Sequence, residues 1–340
     1  MWILGRSTNL RSYTMIRQLT STIALAFAAV LTSTLAHSAD YPNRVIQVIV
    51  PFAAGSGSDV IARIVFERMG TSMGQQFIVN NRPGAGGDIG TLAIARAAPD
   101  GYNLLFGAQG PLAVNPIWEH NLGYDPGQDF APISRIVEIT NVFAVSSKLP
   151  VTSVSEFLAY AKSSPDPINY SSVGIGSSQH LGGAYFAYVE GIKMTHVPYR
   201  SGPQLVGDLI SGVVPVSFSL PSNVLGEIRD GKIRALAVTG PKRLAILPNV
   251  PTIAEAGVSN YDSRVWFALL APRGTPRAII DKLNKELRTA LLDLTVRNRL
   301  ATFGAEPSAT SPEELSRFIS SETVKWRDII TRAAITIEAR

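Results

Sequence analysis

Short apolar runs alternate along the chain with stretches in which apolar residues return every three or four positions. Val45–Val50 has the pattern of a buried strand and stops at Pro51. Val60, Ile61, Ile64, Val65 and Met69 then follow helical spacing. Phe77–Val79 predicts a second strand, Asn81–Asp88 a loop and Ile89–Ala98 a helix. Asp100-Gly101 turns the chain into a third strand, Leu104–Phe106, followed by a loop at Gly107–Pro111. Three strand–loop–helix units in succession predict an α/β fold.

The alternation resumes in the second half. Val142–Val145, Asn169–Ser172, Thr195–Val197, Val214–Phe218, Ala235–Val238 and Val265–Leu270 read as strands. Ser153 with Glu156 predicts a capping box, and Ser311-Pro312 with Glu314 predicts another before the last helix. Thr275-Pro276 places a proline at the first position of a long helix. Pro221–Gly231 reads as a helix closed by its glycine.

Five loops share one design: Pro51–Val60, Pro83–Gly90, Gly107–Pro111, Ser171–His180 and Pro198–Pro203. Each follows a predicted strand and precedes a predicted helix. In open α/β sheets such loops gather at the carboxyl ends of the strands, where ligands bind. Glycine lets backbone N–H groups approach a ligand, and a helix N-terminus favours an anion. Within Phe52–Asp59, Gly84–Gly90, Gly107–Pro111 and Val173–Gln179 there is no Lys or Arg; only Arg82 and Arg200 lie beside the loops. An anion held there would be held by N–H groups, hydroxyls and water. That suits a reversibly bound carboxylate better than a tightly gripped phosphate.

Composition removes other classes. The 340 residues are 46% hydrophobic and 17% charged, enough for a large core and two domains. The absence of cysteine excludes disulfides, thiolate metal sites, iron–sulfur clusters, cysteine nucleophiles and a lipidated N-terminal cysteine. The four histidines have no metal-ligand spacing, so no metal or other cofactor is expected. Gly55–Val60 and Gly84–Ile89 start like dinucleotide fingerprints but lack the third glycine; Gly226–Lys232 fits a P-loop except that Ile233 replaces the hydroxyl. Ser177 or Ser178 with His180 would make a serine hydrolase, but no G-x-S-x-G elbow exists. His180 and His196 read as packed, hydrogen-bonded residues, Trp266 as a packing residue, and Asp59 and Asp88 as helix caps or ligand contacts. Phe52 and Tyr199 are candidates to wall a cleft.

Residues 1–39 carry Arg6, Arg11 and Arg17, then the apolar run Ile23–Leu31, then Ala36-His37-Ser38-Ala39. Nine apolar residues are too few to span a bilayer, and the order is that of a secretory signal peptide cleaved near Ser38–Asp40, with Met1 or Met15 as the start. The body beyond it holds 28 basic and 26 acidic residues, which gives no footprint for nucleic acid. The expected product is a soluble, periplasmic, non-lipidated monomer.

The segments PFAAGSGSD, NRPGAGGDIG, APDGYNLLFG, NYSSVGIGSSQHL, HVPYRSG, LPNVPTIAEAG and WFALLAPRGTP occur in an order that resembles the Bug-type (TctC-like) substrate-binding proteins of tripartite tricarboxylate transporters. The resemblance covers about Tyr41–Trp326. It implies a type II periplasmic binding protein fold, two α/β lobes joined by two crossover strands with the ligand in the cleft. Crossovers near Thr140 and Val265 would give one lobe of residues 40–141 plus 266–340 and another of 142–265. It implies capture of a small carboxylate (a di- or tricarboxylate, an acidic amino acid or an aromatic acid) with bridging waters, for delivery to a large and a small membrane subunit. A periplasmic sensor signalling to a membrane receptor has the same sequence features. Carried over, the ligand-binding residues are Phe52, Ala54, Gly55, Gly57, Ser58, Asp59, Gly84, Ala85, Gly86, Gly87, Asp88, Ala108 and Gln109 from one lobe. Gly176, Ser177, Ser178, His180, Tyr199, Arg200 and Ser219 come from the other. Asp88 stands where the family commonly has Asn, and Ser219 where it commonly has Asp. The first change would repel a dicarboxylate; the second weakens an amino-acid ligand.

Overall fold

Strand β1 (Ile46–Val50) has four of its five residues buried, and it lies inside a six-stranded sheet. In the computed structural model, residues 41–335 are described except His120, Arg200, Ser201, Asn260 and Ala334. The leader expected over residues 1–39 therefore lies outside the described residues. Residues 44–340 form one compact unit; of the N-terminal unit, residues 1–43, only 41–43 are described, and they carry no helix or strand.

After β1 come α1 (Gly57–Met73), β2 (Phe77–Asn81), a short 3₁₀ turn at Ala85–Gly87, α2 (Asp88–Ala95) and β3 (Asn103–Ala108). β1 pairs in parallel with both β2 and β3. A π-helical turn at Gly110–Val114 leads into α3 (Asn115–Trp118), so the expected loop at Gly107–Pro111 is instead a strand end running almost directly into helix. The long strand β4 (Phe130–Thr140) was not expected from the sequence. Its Pro132 lacks an N–H and argues against a strand. The structure accommodates it beside an irregularity in the pairing of β4 with β10 (Arg264–Pro272), between Leu269 and Leu270. The first sheet runs β11-β4-β10-β3-β1-β2, with β11 at Ala305–Pro307.

The second sheet contains β5 (Val142–Ser146), β6 (Ile168–Ser172), β7 (Met194–Pro198), β8 (Val216–Ser219) and β9 (Ile233–Val238), in the order β7-β6-β8-β5-β9. Between these strands run α4 (Val154–Ser163), α5 (Ser178–Glu190), α6 (Gly202–Ser211) and α7 (Pro221–Arg229). Its core is aromatic: Phe143, Phe157, Phe186 and Phe218 are fully buried, and Phe143 stacks on Phe218 at 4.8 Å.

The chain passes from one sheet to the other at Asn141, between β4 and β5, and returns after Ser263, into β10. The two crossings are tied together. Thr239 N–H donates to the Asn141 carbonyl at 2.9 Å, and Ser263 N–H donates to the Thr239 carbonyl at 3.0 Å. The chain then adds α8 (Arg277–Leu292), α9 (Leu294–Ala301) and α10 (Pro312–Arg332); α8 and α10 pack on β4.

Two caps differ in detail from expectation. Pro276 is the cap of α8 rather than its first residue, and the Thr275 hydroxyl donates to the Pro272 carbonyl. At α4, Ser153 accepts the Glu156 N–H, but Glu156 reaches back to Thr152 instead of closing the box. The Ser311–Glu314 box at α10 is complete.

Candidate functional site

The loop after β1 is shaped by a buried carboxylate. Ser56 caps α1, its hydroxyl accepting the Asp59 N–H at 3.4 Å. Asp59 turns away from solvent and accepts from Gly55 N–H at 2.8 Å, Arg63 Nε at 3.0 Å and Asn81 Nδ2 at 3.0 Å. Burial alone would raise its pKa, but the hydrogen bonds from Arg63, Gly55 and Asn81 outweigh it and hold the carboxyl below its ordinary value. Asp59 thus positions the loop.

The next loop has four successive residues at positive φ: Gly84 (132°), Ala85 (47°), Gly86 (65°) and Gly87 (106°). Ala85 carries a Cβ there and stores strain of order 1 kcal/mol. Gly90 must stay small, because a Cβ would meet the Arg82 carbonyl at 2.8 Å and Pro51 at 2.9 Å. Asp88 Oδ1 accepts from Asn115 Nδ2 at 2.8 Å and from the Tyr124 hydroxyl at 2.7 Å. It orients Asn115 and does not line the cleft. The Gln109 amide is fixed similarly. Its Nε2 donates at 3.1 Å to the buried Glu322, whose Oε2 also receives the indole N–H groups of Trp266 and Trp326.

On the second sheet, Ser177 caps α5. Its hydroxyl donates to the Gly174 carbonyl at 2.6 Å and accepts the His180 N–H at 3.3 Å. The Ser178 hydroxyl is bonded to Asn141 Nδ2 at 3.3 Å. His180 Nδ1 accepts the Gly176 N–H at 3.1 Å, so this nitrogen is committed to the loop and cannot serve as a base for either serine. The His180 ring lies 4.0 Å from that of His196, which is bonded to Ser172 at 2.5 Å. Burial lowers the pKa of His180 to about 4; burial and then the neighbouring His180 lower that of His196 to about 3.

These loops enclose a cleft of about 600 Å³. Of the residues singled out in the sequence, the structure brings Phe52, Gly55, Gly57, Ser58, Gly86, Ala108 and Gln109 to one wall and Gly176, Ser177 and Ser178 to the other. Ala54, Asp59, Gly84, Ala85, Gly87, Asp88, His180, Tyr199 and Ser219 do not line it. Tyr199 is turned away to donate to Asp208 at 2.6 Å, and Ser219 is buried against Ser217. Arg200 lies outside the described residues. Sequence reading missed Asn115, Ser222 and Asn223, and the apolar floor of Ile139, Val265, Phe267, Leu220 and Phe303. Ser222-Asn223 had a legible signal, a helix start directly after a strand; Phe303 had none.

No described residue lining the cleft is charged. Four helices nevertheless turn their first residues toward it: α1 through Gly57 and Ser58, α5 through Ser178 and Gln179, α6 through Gly202 and Pro203, and α7 through Ser222 and Asn223. Their partial positive ends make it anion-receptive without a cation. A second hollow of about 560 Å³, on Phe66, Gly70 and Phe77, is more open and borders none of these loops. Among the described residues no group of side chains is arranged to hold a metal ion.

Two sheets, each flanked by helices and joined by paired crossings around such a cleft, define a periplasmic binding protein fold. The chain belongs to the family described as the tripartite tricarboxylate transporter family receptor, whose profile matches residues 61–335. It is 37% identical over 296 residues to protein BugT of Bordetella pertussis, covering 86% of this chain and 90% of that one. Among solved structures it is similar to R. palustris Rpa4515 with adipate, at 35% identity and a TM-score of 0.79, covering 87% of this chain and 99% of that one. It is also similar to MatC from Rhodopseudomonas palustris with bound malate, at 31% identity and a TM-score of 0.74, covering 85% and 100%. Two further similar structures are the periplasmic binding protein BugD and a TctC solute binding protein from Polaromonas, and this chain is a binding protein rather than an enzyme.

Proposed function

We propose that the protein is a periplasmic receptor that captures a small carboxylate in this cleft and delivers it to the membrane subunits of a tripartite transporter. The observation that carries this reading is the convergence of four helix N-termini on a cleft whose described lining holds no charged side chain. Dipoles and N–H groups hold a carboxylate firmly enough for capture and loosely enough for release. The adipate and malate bound by the two relatives support the same ligand class. No helix among the described residues is long and apolar enough to cross a membrane. The two sheets with their helices act as two lobes that close about the crossings at Asn141 and Ser263. The ligand touches Gly55–Ser58, Gly86 and Gln109 from one side and Gly176–Ser178 from the other.

Thermal unfolding of purified protein, freed of carried-over ligand, against a panel of carboxylates tests this. A true ligand at 100 times its Kd adds about 2.7 kcal/mol of stability. Gly57→Val fills the cleft at a position where an added Cβ meets nothing within 4 Å. It is expected to abolish the ligand response and leave the unliganded transition in place. The proposal fails when no carboxylate shifts the transition. An unchanged radius of gyration with a saturating ligand would count against lobe closure.

A further inference from the structure

We infer that the cleft selects a carboxylate with one anionic end and a sizeable apolar body, an aryl or medium-chain alkyl acid, over compact polar dicarboxylates. This rests on the carboxylate reading above and narrows it.

The donors are unevenly distributed. In α1 and α5, helix geometry leaves the N–H groups of Gly57, Ser58, Ser178 and Gln179 without intrahelical partners, and all four residues line the cleft. The starts of α6 and α7 are poorer: of their lining residues, Pro203 has no N–H, and Gly202 and Ser222 are left as backbone donors. Pro221 has no N–H, the Asn223 N–H is spent on the Leu220 carbonyl at 3.0 Å, and the cap residue is Leu220. Next to this poor donor end the lining is apolar. Ile139 and Val265 face each other as partners on β4 and β10. Phe267 lies two residues beyond Val265, its ring 6.3 Å from that of Phe52 in an edge-on arrangement. Phe303 and Leu220 complete the surface from segments that touch, since a Cβ on Gly304 would lie 2.5 Å from Pro221.

A second carboxylate placed on this floor would lose its hydration and gain no cation from the described lining, an uncompensated cost. An apolar body there gains from burial with each methylene. Room is ample: an apolar cavity of about 150 Å³ accepts one benzene, and this cleft offers about 600 Å³.

Isothermal titration of the ligand-free protein with phenylacetate, hexanoate, adipate, malate, citrate and benzyl alcohol tests the inference. Phenylacetate or hexanoate is expected to bind at least about ten-fold tighter than adipate, malate or citrate, by about 1.4 kcal/mol or more, and benzyl alcohol much more weakly. Phe303→Arg supplies the missing cation, and is expected to weaken the favoured monoacid about ten-fold and strengthen adipate. Leu220→Gln gives the same loss of monoacid affinity if Phe303→Arg does not fold. Tighter binding of adipate, malate or citrate in the unmodified protein overturns the selectivity and leaves the carboxylate reading standing. Binding of no carboxylate overturns both. An affinity order unchanged in either folded variant removes the apolar floor from the ligand's contacts and overturns the inference.

Discussion

The two sides of the cleft line it with similar glycine- and serine-rich backbone but are braced by different chemistry. On the first sheet the braces are carboxylates: Asp59 holds Gly55, Asp88 holds Asn115, and Glu322 holds Gln109. On the second, the Gly174–Ser178 loop is braced by the Ser177 hydroxyl and the His180 imidazole. A carboxylate brace is stronger because hydrogen bonds to an ionised group are about twice those between neutral groups. A buried imidazole is weaker in one respect: acid reaches it first. Two otherwise comparable loop sets should therefore fail under different conditions.

The most damaging single change should be Asp59→Ala. It leaves Gly55 N–H, Asn81 Nδ2 and the Arg63 guanidinium without their shared acceptor, all three bonds lying in a partly buried setting. A loss of about 2–3 kcal/mol in urea unfolding is expected, with loss of ligand response. A change below about 0.5 kcal/mol would mean that the loop does not depend on its carboxylate.

Acidification should have an effect at least as large and act on the opposite side. His180 has a folded pKa of about 4 against an ordinary 6.5, so the unfolded chain binds the proton more tightly. Its contribution is complete above about pH 6.5 and drains away as pH falls toward 4; His196, lowered to about 3, acts in the same direction. Between pH 7 and pH 4.5 the His180 contribution falls by about 2–3 kcal/mol. Asp59, depressed below 3.8, keeps its contribution through this window and loses it only at lower pH. His180→Gln, which keeps an acceptor for Gly176 but cannot titrate, should make the fall between pH 7 and 4.5 clearly shallower, leaving the share that His196 contributes. A variant as pH-sensitive as the parent would show that the imidazole does not set the acid limit of its loop.

The two helix caps should have the smallest effects. Ser177→Ala removes the α5 cap and should cost about 1 kcal/mol. Ser56→Ala removes the corresponding α1 cap, bonded at 3.4 Å, yet should cost less, because Asp59 still holds Gly55. Equal losses from the two substitutions in urea titrations would show that the carboxylate adds nothing to its loop.

Most strands and helices were legible, because a two- or three-residue period of apolar side chains reports burial directly. β4 was not: Pro132 and the interspersed Arg135 and Glu138 disguise a strand whose pairing is irregular. The site was legible as loops and only partly as side chains. Gly55, Gly57, Gly86 and Ser177 were found because glycines and hydroxyls between a strand and a helix are a local pattern. Asp59, Asp88, His180 and Tyr199 were drawn into the same list by adjacency, and their side chains turned out to support loops or pack elsewhere. Neighbours in sequence share a loop, but a side chain's direction is set by whatever polar partner lies within reach.

The α/β alternation, the glycine-rich loops at strand ends and the lack of basic residues within them could all be read from the chain, since each is a property of contiguous residues. Which side chains face the cleft was set by long-range packing. Ile139, Val265, Leu220 and Phe303 come from four separate segments, and they form one apolar floor because the two crossings return the chain to the same place.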